Sequence, residues 1–242
     1  QVGAAIEARE DHVGATLFEE LPHGDDHAVR GGSAQREPIF SSLDAAQRVF
    51  ERQRLPDTAA VAVRSDHGHS MEERTFGGGG NPGPYRGAKF SYFEGGIRVP
   101  AMIRWPGKIP AGQVRGQFGV SVDWLPTLAE FTDVPLPKRK LDGKSLAKVI
   151  ASNGAKSPHS EFHWTGGGSN SQWAVREGDW KLIGNPRDPT RKTPLSKDDK
   201  LFLVNLSVDV GEQKNLRYTH PDQLKRLKAI HERWVTDLRG SE

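Results

Sequence analysis

The chain has 242 residues, of which 35% are hydrophobic and 27% are charged, as in ordinary globular proteins. Its 34 basic and 31 acidic residues leave a formal net charge of +3, which gives no indication of a nucleic-acid partner. No apolar run reaches the roughly 20 residues of a membrane span. The absence of cysteine excludes disulfides, thiolate metal sites and a cysteine nucleophile.

The N-terminal part is predicted to contain two helices. Apolar residues recur at helical spacings over residues 1–21, which predicts an amphipathic helix. Residues 22–42 are polar and aperiodic, which predicts a surface loop. Residues 43–53 predict a second helix.

A short apolar run at residues 58–63 predicts a buried strand, and polar residues follow it at once. A helix, a strand and polar residues at the strand's carboxyl end form an α/β pattern, in which ligands usually bind at that end. Asp66 and His67 lie there and can bind a cation or act as acid and base. The alternative is a turn in which Asp66 caps the backbone and His67 is exposed.

The glycine-rich residues 76–84 predict a loop, and Lys89 follows it. A lysine there could hold an anion as a compact point charge. The alternative is a solvated Lys89, with Glu94 and Arg98 forming a structural ion pair.

Residues 99–105 predict a second strand. Residues 123–131 predict a helix, with Asp123 as its N-cap and Pro126 in its first turn. His163 and Trp164 are assigned to a loop.

The C-terminal part is predicted to be a small antiparallel sheet with one helix. Residues 172–176 and 180–183 flank a turn and predict a hairpin. Residues 201–206 predict another strand. Residues 221–238 predict a closing helix with an apolar stripe that ends at Leu238.

Several stretches also form one ordered signature, of which the central ones are Ser-Asp-His-Gly-His at 65–69, Arg-Gly-Ala-Lys at 86–89, Phe-Glu-Gly-Gly-Ile-Arg-Val-Pro at 93–100 and Trp-Pro-Gly-Lys at 105–108. This signature resembles the second half of the catalytic domain of the type I, formylglycine-dependent sulfatases, the arylsulfatase family of the alkaline phosphatase superfamily. The resemblance implies an α/β fold, with the C-terminal part of an alkaline-phosphatase-like mixed sheet and flanking helices in residues 1–155. A small C-terminal antiparallel sheet with one helix is expected in residues 156–242.

The resemblance also implies roles for individual residues. Asp66 matches a metal ligand of the family, and His67 matches a second one. The ion is a divalent cation, usually Ca²⁺, although calcium prefers oxygen donors to imidazole. Lys89 matches a catalytic residue that contacts the sulfate ester. His163 is a weaker candidate for substrate binding.

The family's nucleophile is a formylglycine made from the first residue of Cys/Ser-x-Pro-x-Arg. This chain has no cysteine, and none of its 16 prolines has a serine two positions earlier. The formylglycine is therefore expected only in an N-terminal part that this sequence does not include. The polypeptide alone is predicted to be inactive, and the full gene product is predicted to hydrolyse sulfate esters of aryl or carbohydrate substrates.

Two other functions remain open at this point. One is a phosphodiesterase or phosphonate hydrolase of the same superfamily, since Asp-His-Gly occurs across it. The other is a non-catalytic sulfatase remnant. A secreted or periplasmic location follows from the resemblance alone, because the chain carries no signal segment, and the sequence predicts no oligomeric state.

Overall fold

A computed structural model describes residues 16–17, 60–72, 80–166 and 171–239. These residues fall into two compact units. Within the described residues, the first unit comprises 16–17, 60–65 and 100–159, and the second comprises 66–72, 80–99, 160–166 and 171–239. The predicted domain boundary at residue 155 stays a prediction.

The described residues form eight strands and four helices. The strands are β1 (Thr16–Leu17), β2 (Val61–Arg64), β3 (Ala101–Arg104), β4 (Gln113–Val114), β5 (Glu161–Thr165), β6 (Trp173–Glu177), β7 (Trp180–Gly184) and β8 (Leu201–Asn205). The helices are α1 (Glu94–Ile97), α2 (Trp124–Thr132), α3 (Ala147–Ala151) and α4 (Pro221–Arg239), and a 3₁₀ turn at Ser121–Asp123 precedes α2.

The first unit contains a mixed sheet with the strand order β2-β3-β1-β4. Strand β3 pairs antiparallel with both β2 and β1, whereas β1 and β4 run parallel. The strands predicted at 58–63 and 99–105 are confirmed where the chain is described, as the four-residue strands β2 and β3. Residues 58 and 59 lie outside the described residues.

The prediction that the strand at 58–63 is buried is wrong, because β2 is not covered on both faces. Val61 and Val63 are half-buried, whereas Ala62 and Arg64 are exposed. Since side chains alternate between the two faces of a strand, only one face of β2 is covered here.

The predicted helix over residues 1–21 is wrong at Thr16–Leu17, which form β1. These residues pair with β3 and β4. The backbone hydrogen bonds of the sheet outweigh a weak helical preference of the local sequence. The rest of that helix, the loop at 22–42 and the helix at 43–53 lie outside the described residues.

Asp123 lies at the predicted N-cap position of α2, but its own backbone is helical and its side chain makes no capping bond to that helix. Its carboxylate is fully buried and accepts hydrogen bonds from the backbone amides of Val120 and Lys144, each at 2.8 Å. It also lies 2.8 Å from Nε2 of His159. Asp123 thus ties three chain segments together. Pro126 lies in the first turn of α2, as predicted.

The second unit is built on the antiparallel sheet β5-β6-β7-β8, in which each strand pairs with the next along the chain. The predicted hairpin, the strand at 201–206 and the helix at 221–238 are confirmed. The assignment of His163 and Trp164 to a loop is wrong, because both lie on β5. Their aromatic rings suit a half-buried strand that has a partner to pair with.

Both faces of this sheet are covered. Ala174, Ile183, Phe202 and Val204 pack with Phe93 on one face. The other face packs on α4 through Val175, Leu182, Leu203, Leu227 and Ile230. Leu238 in the last turn of α4 is 49% exposed, so the predicted stripe ends before it.

Trp173 and Gly184 face each other across β6 and β7. A Cβ atom on Gly184 would lie 1.9 Å from the Trp173 ring. The glycine therefore provides the space that the indole occupies. The indole also stacks on the ring of His231, with the ring centroids 3.9 Å apart. Among the described helices, none has both the length and the apolar character that crossing a membrane requires.

Removing a core side chain should destabilise the second unit. Leu203 is fully buried between the sheet and α4, so Leu203→Ala is expected to lower the free energy of unfolding by about 3 kcal/mol, through lost burial and the cavity left behind. Urea denaturation followed by tryptophan fluorescence measures this change. The control is Val208→Ala, at a side chain that is 80% exposed, and it should change little. Equal effects of the two substitutions would contradict the packing described.

Candidate functional site

The turn that follows β2 in the chain places the two predicted metal ligands side by side. The Oδ2 atom of Asp66 lies 3.2 Å from the Nε2 atom of His67. The side chain of Asp66 is 80% exposed and that of His67 is 39% exposed. Both groups can therefore meet a ligand that arrives from solvent.

The imidazole of His67 is oriented by the backbone next to it. Its Nδ1 atom lies 2.7 Å from the carbonyl oxygen of Gly68. Because a carbonyl oxygen only accepts, Nδ1 carries the hydrogen of this bond, and Nε2 faces the Asp66 carboxylate. An imidazole nitrogen and a carboxylate oxygen in this position suit a cation or a proton between them. Histidines that bind metals are commonly oriented in this way, with the other ring nitrogen donating to a carbonyl.

Glycines allow this turn to pack closely on α1. The amide of Gly68 donates to the carbonyl of Gly96 at 2.9 Å. A Cβ atom on Gly68 would lie only 1.9 Å from the carbonyl oxygen of Gly95. A side chain at residue 68 would therefore push the turn away from α1 and move Asp66 and His67 with it.

Lys89 is connected to the same turn. Its backbone amide donates to the carbonyl of His69 at 2.9 Å. Its ammonium group lies 3.1 Å from Oε2 of Glu72 and 4.9 Å from the centre of the Phe90 ring, and 20% of its side chain is exposed. The structure thus bonds the backbone of Lys89 to the segment that follows Asp66 and His67, and it pairs the ammonium of Lys89 with Glu72.

His69, whose carbonyl accepts the Lys89 amide, is half-buried. Burial lowers the pKa of His69, and the positive charge of Lys192 lowers it further. The imidazole is therefore held in its neutral form near pH 7.

Asp66 and His67 do not by themselves complete a site for the predicted Ca²⁺ ion. Calcium takes six to eight oxygen ligands. Among residues 60–72, 80–166 and 171–239, no group of three or more His, Cys, Asp or Glu side chains is arranged to hold a metal. These two residues fit only as two donors of a larger ligand set.

The first residue of α1, Glu94, belongs to a buried group of charged side chains. The ammonium of Lys181, on β7, lies 2.6 Å from Oε1 of Glu94 and 3.0 Å from Oε1 of Glu212. The backbone amide of Glu94 donates to the Glu212 carboxylate at 2.5 Å. The side chains of Lys181 and Glu212 are fully buried, and that of Glu94 is 3% exposed. Unpaired, each of these charges would be very costly to bury.

Two further cations lie near the second oxygen of the Glu94 carboxylate. Arg98 and Arg176 lie 3.8 and 3.9 Å from Oε2 of Glu94. The ion pair predicted between Glu94 and Arg98 is therefore formed, as one edge of this larger group.

The two carboxylates respond differently to burial. Burial raises the pKa of Glu212 to about 7, and the neighbouring Glu94 charge adds to this effect while Lys181 opposes it. Burial also acts to raise the pKa of Glu94, but the positive charges of Lys181, Arg176 and Arg98 outweigh it and hold that pKa below its usual range. Glu94 is thus the carboxylate that stays ionised, and Glu212 is the one that titrates.

His163 is placed away from solvent. Its side chain is 6% exposed, and its ring stacks on Trp234 of α4 with the centroids 4.6 Å apart. Burial lowers the pKa of His163. Within the described residues its side chain contacts Glu161, Trp234 and His231, not Lys89. Its role in substrate binding stays a prediction.

Sequence reasoning misses Lys181 and Glu212. One signal could have identified Lys181. It lies between Trp180 and Leu182 in a strand with apolar residues on both faces, and a lysine in such a strand needs a buried partner. Glu212 lies in the irregular segment after β8, where no periodic pattern marks it.

Residues 46–134 match the family model described as Sulfatase. Human steryl-sulfatase is 32% identical to the chain over 160 residues, which cover 63% of this chain and 27% of that protein. The chain belongs to the sulfatase family. Human arylsulfatase A is 30% identical over 228 residues, which cover 86% of this sulfatase-family chain and 44% of the relative.

Comparison with solved structures also finds a sulfatase-like fold. A chain solved in complex with its substrate D-glucosamine-2-N,6-O-disulfate superimposes with a TM-score of 0.57 at 19% identity, covering 84% of this chain and 39% of that one. The predicted family and the predicted alkaline-phosphatase-like α/β fold are confirmed. The sulfatase-family chain spans less than half the length of each of these relatives.

The pKa of Glu212 should make stability depend on pH. A carboxyl whose pKa is raised in the folded state stabilises the fold below its unfolded pKa of about 4.5, and this contribution, about 3 kcal/mol, is lost as the pH rises through about 7. The advantage of wild type over Glu212→Gln in free energy of unfolding should therefore shrink over that interval. Urea denaturation of both proteins across the interval measures it.

The control for this measurement is Glu130→Gln, which removes an exposed carboxylate from the first unit. Its stability curve should run parallel to that of wild type over the same interval. A Glu212→Gln curve that also runs parallel to wild type would show that Glu212 does not titrate within the fold.

Proposed function

We propose that this chain is part of an enzyme that hydrolyses sulfate esters of aryl or carbohydrate substrates. One observation carries the proposal. Lys89 is bonded through its backbone to the turn that presents Asp66 and His67, so a cation and a pair of metal-binding groups lie in one region. The family match and the names of the relatives, steryl-sulfatase and arylsulfatase A, support the same activity.

Lys89 would contact the anionic oxygens of the ester. Its partly exposed ammonium can offset the charge of the sulfate group and polarise the S–O bond as charge develops in the transition state. The ester would compete for this ammonium with the carboxylate of Glu72. That pairing also keeps the lysine side chain ordered, which lowers the entropy lost on binding.

Asp66 and His67 would supply two ligands to a divalent cation, most simply Ca²⁺, and a cation bound there would further offset the charge of the ester. The hydrogen bond from His67 Nδ1 to Gly68 supports this assignment, because it orients the ring so that Nε2 lies beside the Asp66 carboxylate. Gly68 and the glycines of α1 would fix where the two side chains point.

The nucleophile has to come from residues other than those named. The chain has no cysteine and no serine two residues before a proline, so the sequence that yields formylglycine does not occur in it. We place the formylglycine in an N-terminal part of the full gene product, where the hydrated aldehyde would attack sulfur and later expel sulfate.

Binding should depend on Lys89 even without turnover. Lys89→Ala is expected to weaken binding of 4-nitrophenyl sulfate to the chain about tenfold or more, since a hydrogen bond to a charged group is lost. Isothermal titration calorimetry measures the change. Lys214→Ala removes an exposed lysine of the same unit and should leave the affinity unchanged. Equal affinities for wild type and Lys89→Ala would refute the assigned role.

The 242-residue chain should not turn over 4-nitrophenyl sulfate in the presence of Ca²⁺, because it lacks the nucleophile. The release of 4-nitrophenol is compared with that from Asp66→Ala, in which a proposed metal ligand is removed. Turnover by wild type above this control would contradict the missing-nucleophile argument and would require a nucleophile within residues 1–242.

Two alternatives are separated by the same assays. A phosphonate or phosphodiester hydrolase would bind 4-nitrophenyl phenylphosphonate more tightly than 4-nitrophenyl sulfate. A non-catalytic remnant would bind neither ester in a way that depends on Lys89. A secreted or periplasmic location is proposed from the family resemblance alone.

A further inference from the structure

The segment that follows β7, residues 185–194, carries a concentration of positive charge and is called the basic loop below. Arg187, Arg191 and Lys192 are all exposed in it. Within the described part of the chain, none of these three side chains forms an ion pair. Asp188 is the single acidic residue of the loop.

The carboxylate of Asp188 is turned inward and neutralised. It lies 2.7 Å from Nε of Arg86, and both side chains are only 2% exposed. Arg86 also donates to the carbonyl of Thr193 at 2.6 Å and packs over the ring of Phe93 at 4.1 Å. This buried pair anchors the loop and removes its negative charge from the surface, so the outward charge of the loop is entirely positive.

The basic loop borders the region that carries Lys89. The amide of Arg187 donates to Oε1 of Gln172 at 3.0 Å, and Nε2 of Gln172 donates to the carbonyl of Phe90 at 2.8 Å. The hydroxyl of Ser91 donates to the carbonyl of Arg187 at 2.8 Å. The loop is therefore bonded to the two residues that directly follow Lys89.

The loop and Lys89 also belong to the same compact unit. The hydrogen bonds at Arg187 therefore hold the loop in a fixed relation to the backbone that follows Lys89.

We propose that the basic loop is a second anion-binding site, which takes a further sulfate or carboxylate group of a polyanionic carbohydrate whose scissile sulfate ester lies at Lys89. This inference rests on the function proposed above and narrows its substrate class from sulfate esters in general to carbohydrates with more than one anionic group. An aryl sulfate with a single charge has no group to offer the loop.

The chemistry of the loop favours this ligand. Guanidinium groups match the paired oxygens of sulfate and carboxylate groups. Three cations that form no ion pair with any described residue, held by a buried anchor, produce a local field that attracts an anion. A ligand that binds Lys89 with one group presents its second group to the loop at high effective concentration, so modest contacts add substantially to affinity. The small net charge of the chain argues against an extended nucleic-acid surface.

The test compares the affinities of the 242-residue chain for N-acetylgalactosamine 6-sulfate and for a chondroitin 6-sulfate tetrasaccharide, by calorimetry at low ionic strength. Wild type should prefer the tetrasaccharide. The triple variant Arg187→Gln, Arg191→Gln, Lys192→Gln should lose about tenfold of that preference, because exposed ion pairs each contribute modestly. Its affinity for the monosaccharide should stay within twofold or so of wild type.

The chain offers a control with the same change in charge. Lys138, Arg139 and Lys140 are consecutive and exposed in the first unit, so their replacement by Gln also removes three positive charges. This variant should keep the preference for the tetrasaccharide. Circular dichroism confirms that both variants fold before they are compared.

Three results would overturn the inference. They are an unchanged preference in the loop variant, an equal loss in the control variant, and binding of a DNA oligonucleotide of equal charge as tight as that of the tetrasaccharide. Failure of the proposed function has a different outcome, since Lys89→Ala would then leave binding of the monosaccharide unchanged whatever the loop variant does.

Discussion

The second unit depends on the buried contact of Lys181 with Glu94 and Glu212. One ammonium group serves two carboxylates, and no solvent reaches it. Through the backbone of Glu94 this contact fixes α1, and α1 in turn holds Gly68 and the turn that presents Asp66 and His67. Replacing the whole group with apolar residues would cost little by itself, whereas losing a single member leaves a buried charge unpaired. The group therefore specifies a geometry more than it adds stability.

The elements that could be predicted from the sequence are those whose signal is local. The hairpin β6–β7 has a Glu-Gly-Asp turn between two apolar strands, and α4 has a long helical period, so both are found at nearly the predicted bounds. Strand β5 was missed because His163 and Trp164 acquire their strand conformation from pairing with β6. At Thr16–Leu17, pairing with β3 and β4 decided the outcome against a plausible helical period.

The candidate site shows the same division. Asp66, His67 and Lys89 were identified because each lies in a motif with a recognisable order along the chain. Lys181 and Glu212 were not, because their meaning depends on Glu94, which lies 87 and 118 residues away. The basic loop could not be predicted from the sequence for a related reason. Its charges are ordinary surface residues until the inward pairing of Asp188 with Arg86 shows that nothing on the loop balances them.

The distance between Glu94 and its partners has a consequence during synthesis. A ribosome that adds 5–20 residues per second needs on the order of ten seconds to travel from Glu94 to Glu212. Lys181 follows Glu94 by 87 residues, so α1 lacks its ammonium partner for most of that time, and Phe93 lacks its full sheet until β8 has been made. Until Glu212 follows, the buried charges around Lys181 cannot all be paired, so α1 cannot reach its final packing. Over that interval the nascent chain exposes Phe93, and the sheet residues that later cover it, to chaperones and to other nascent chains.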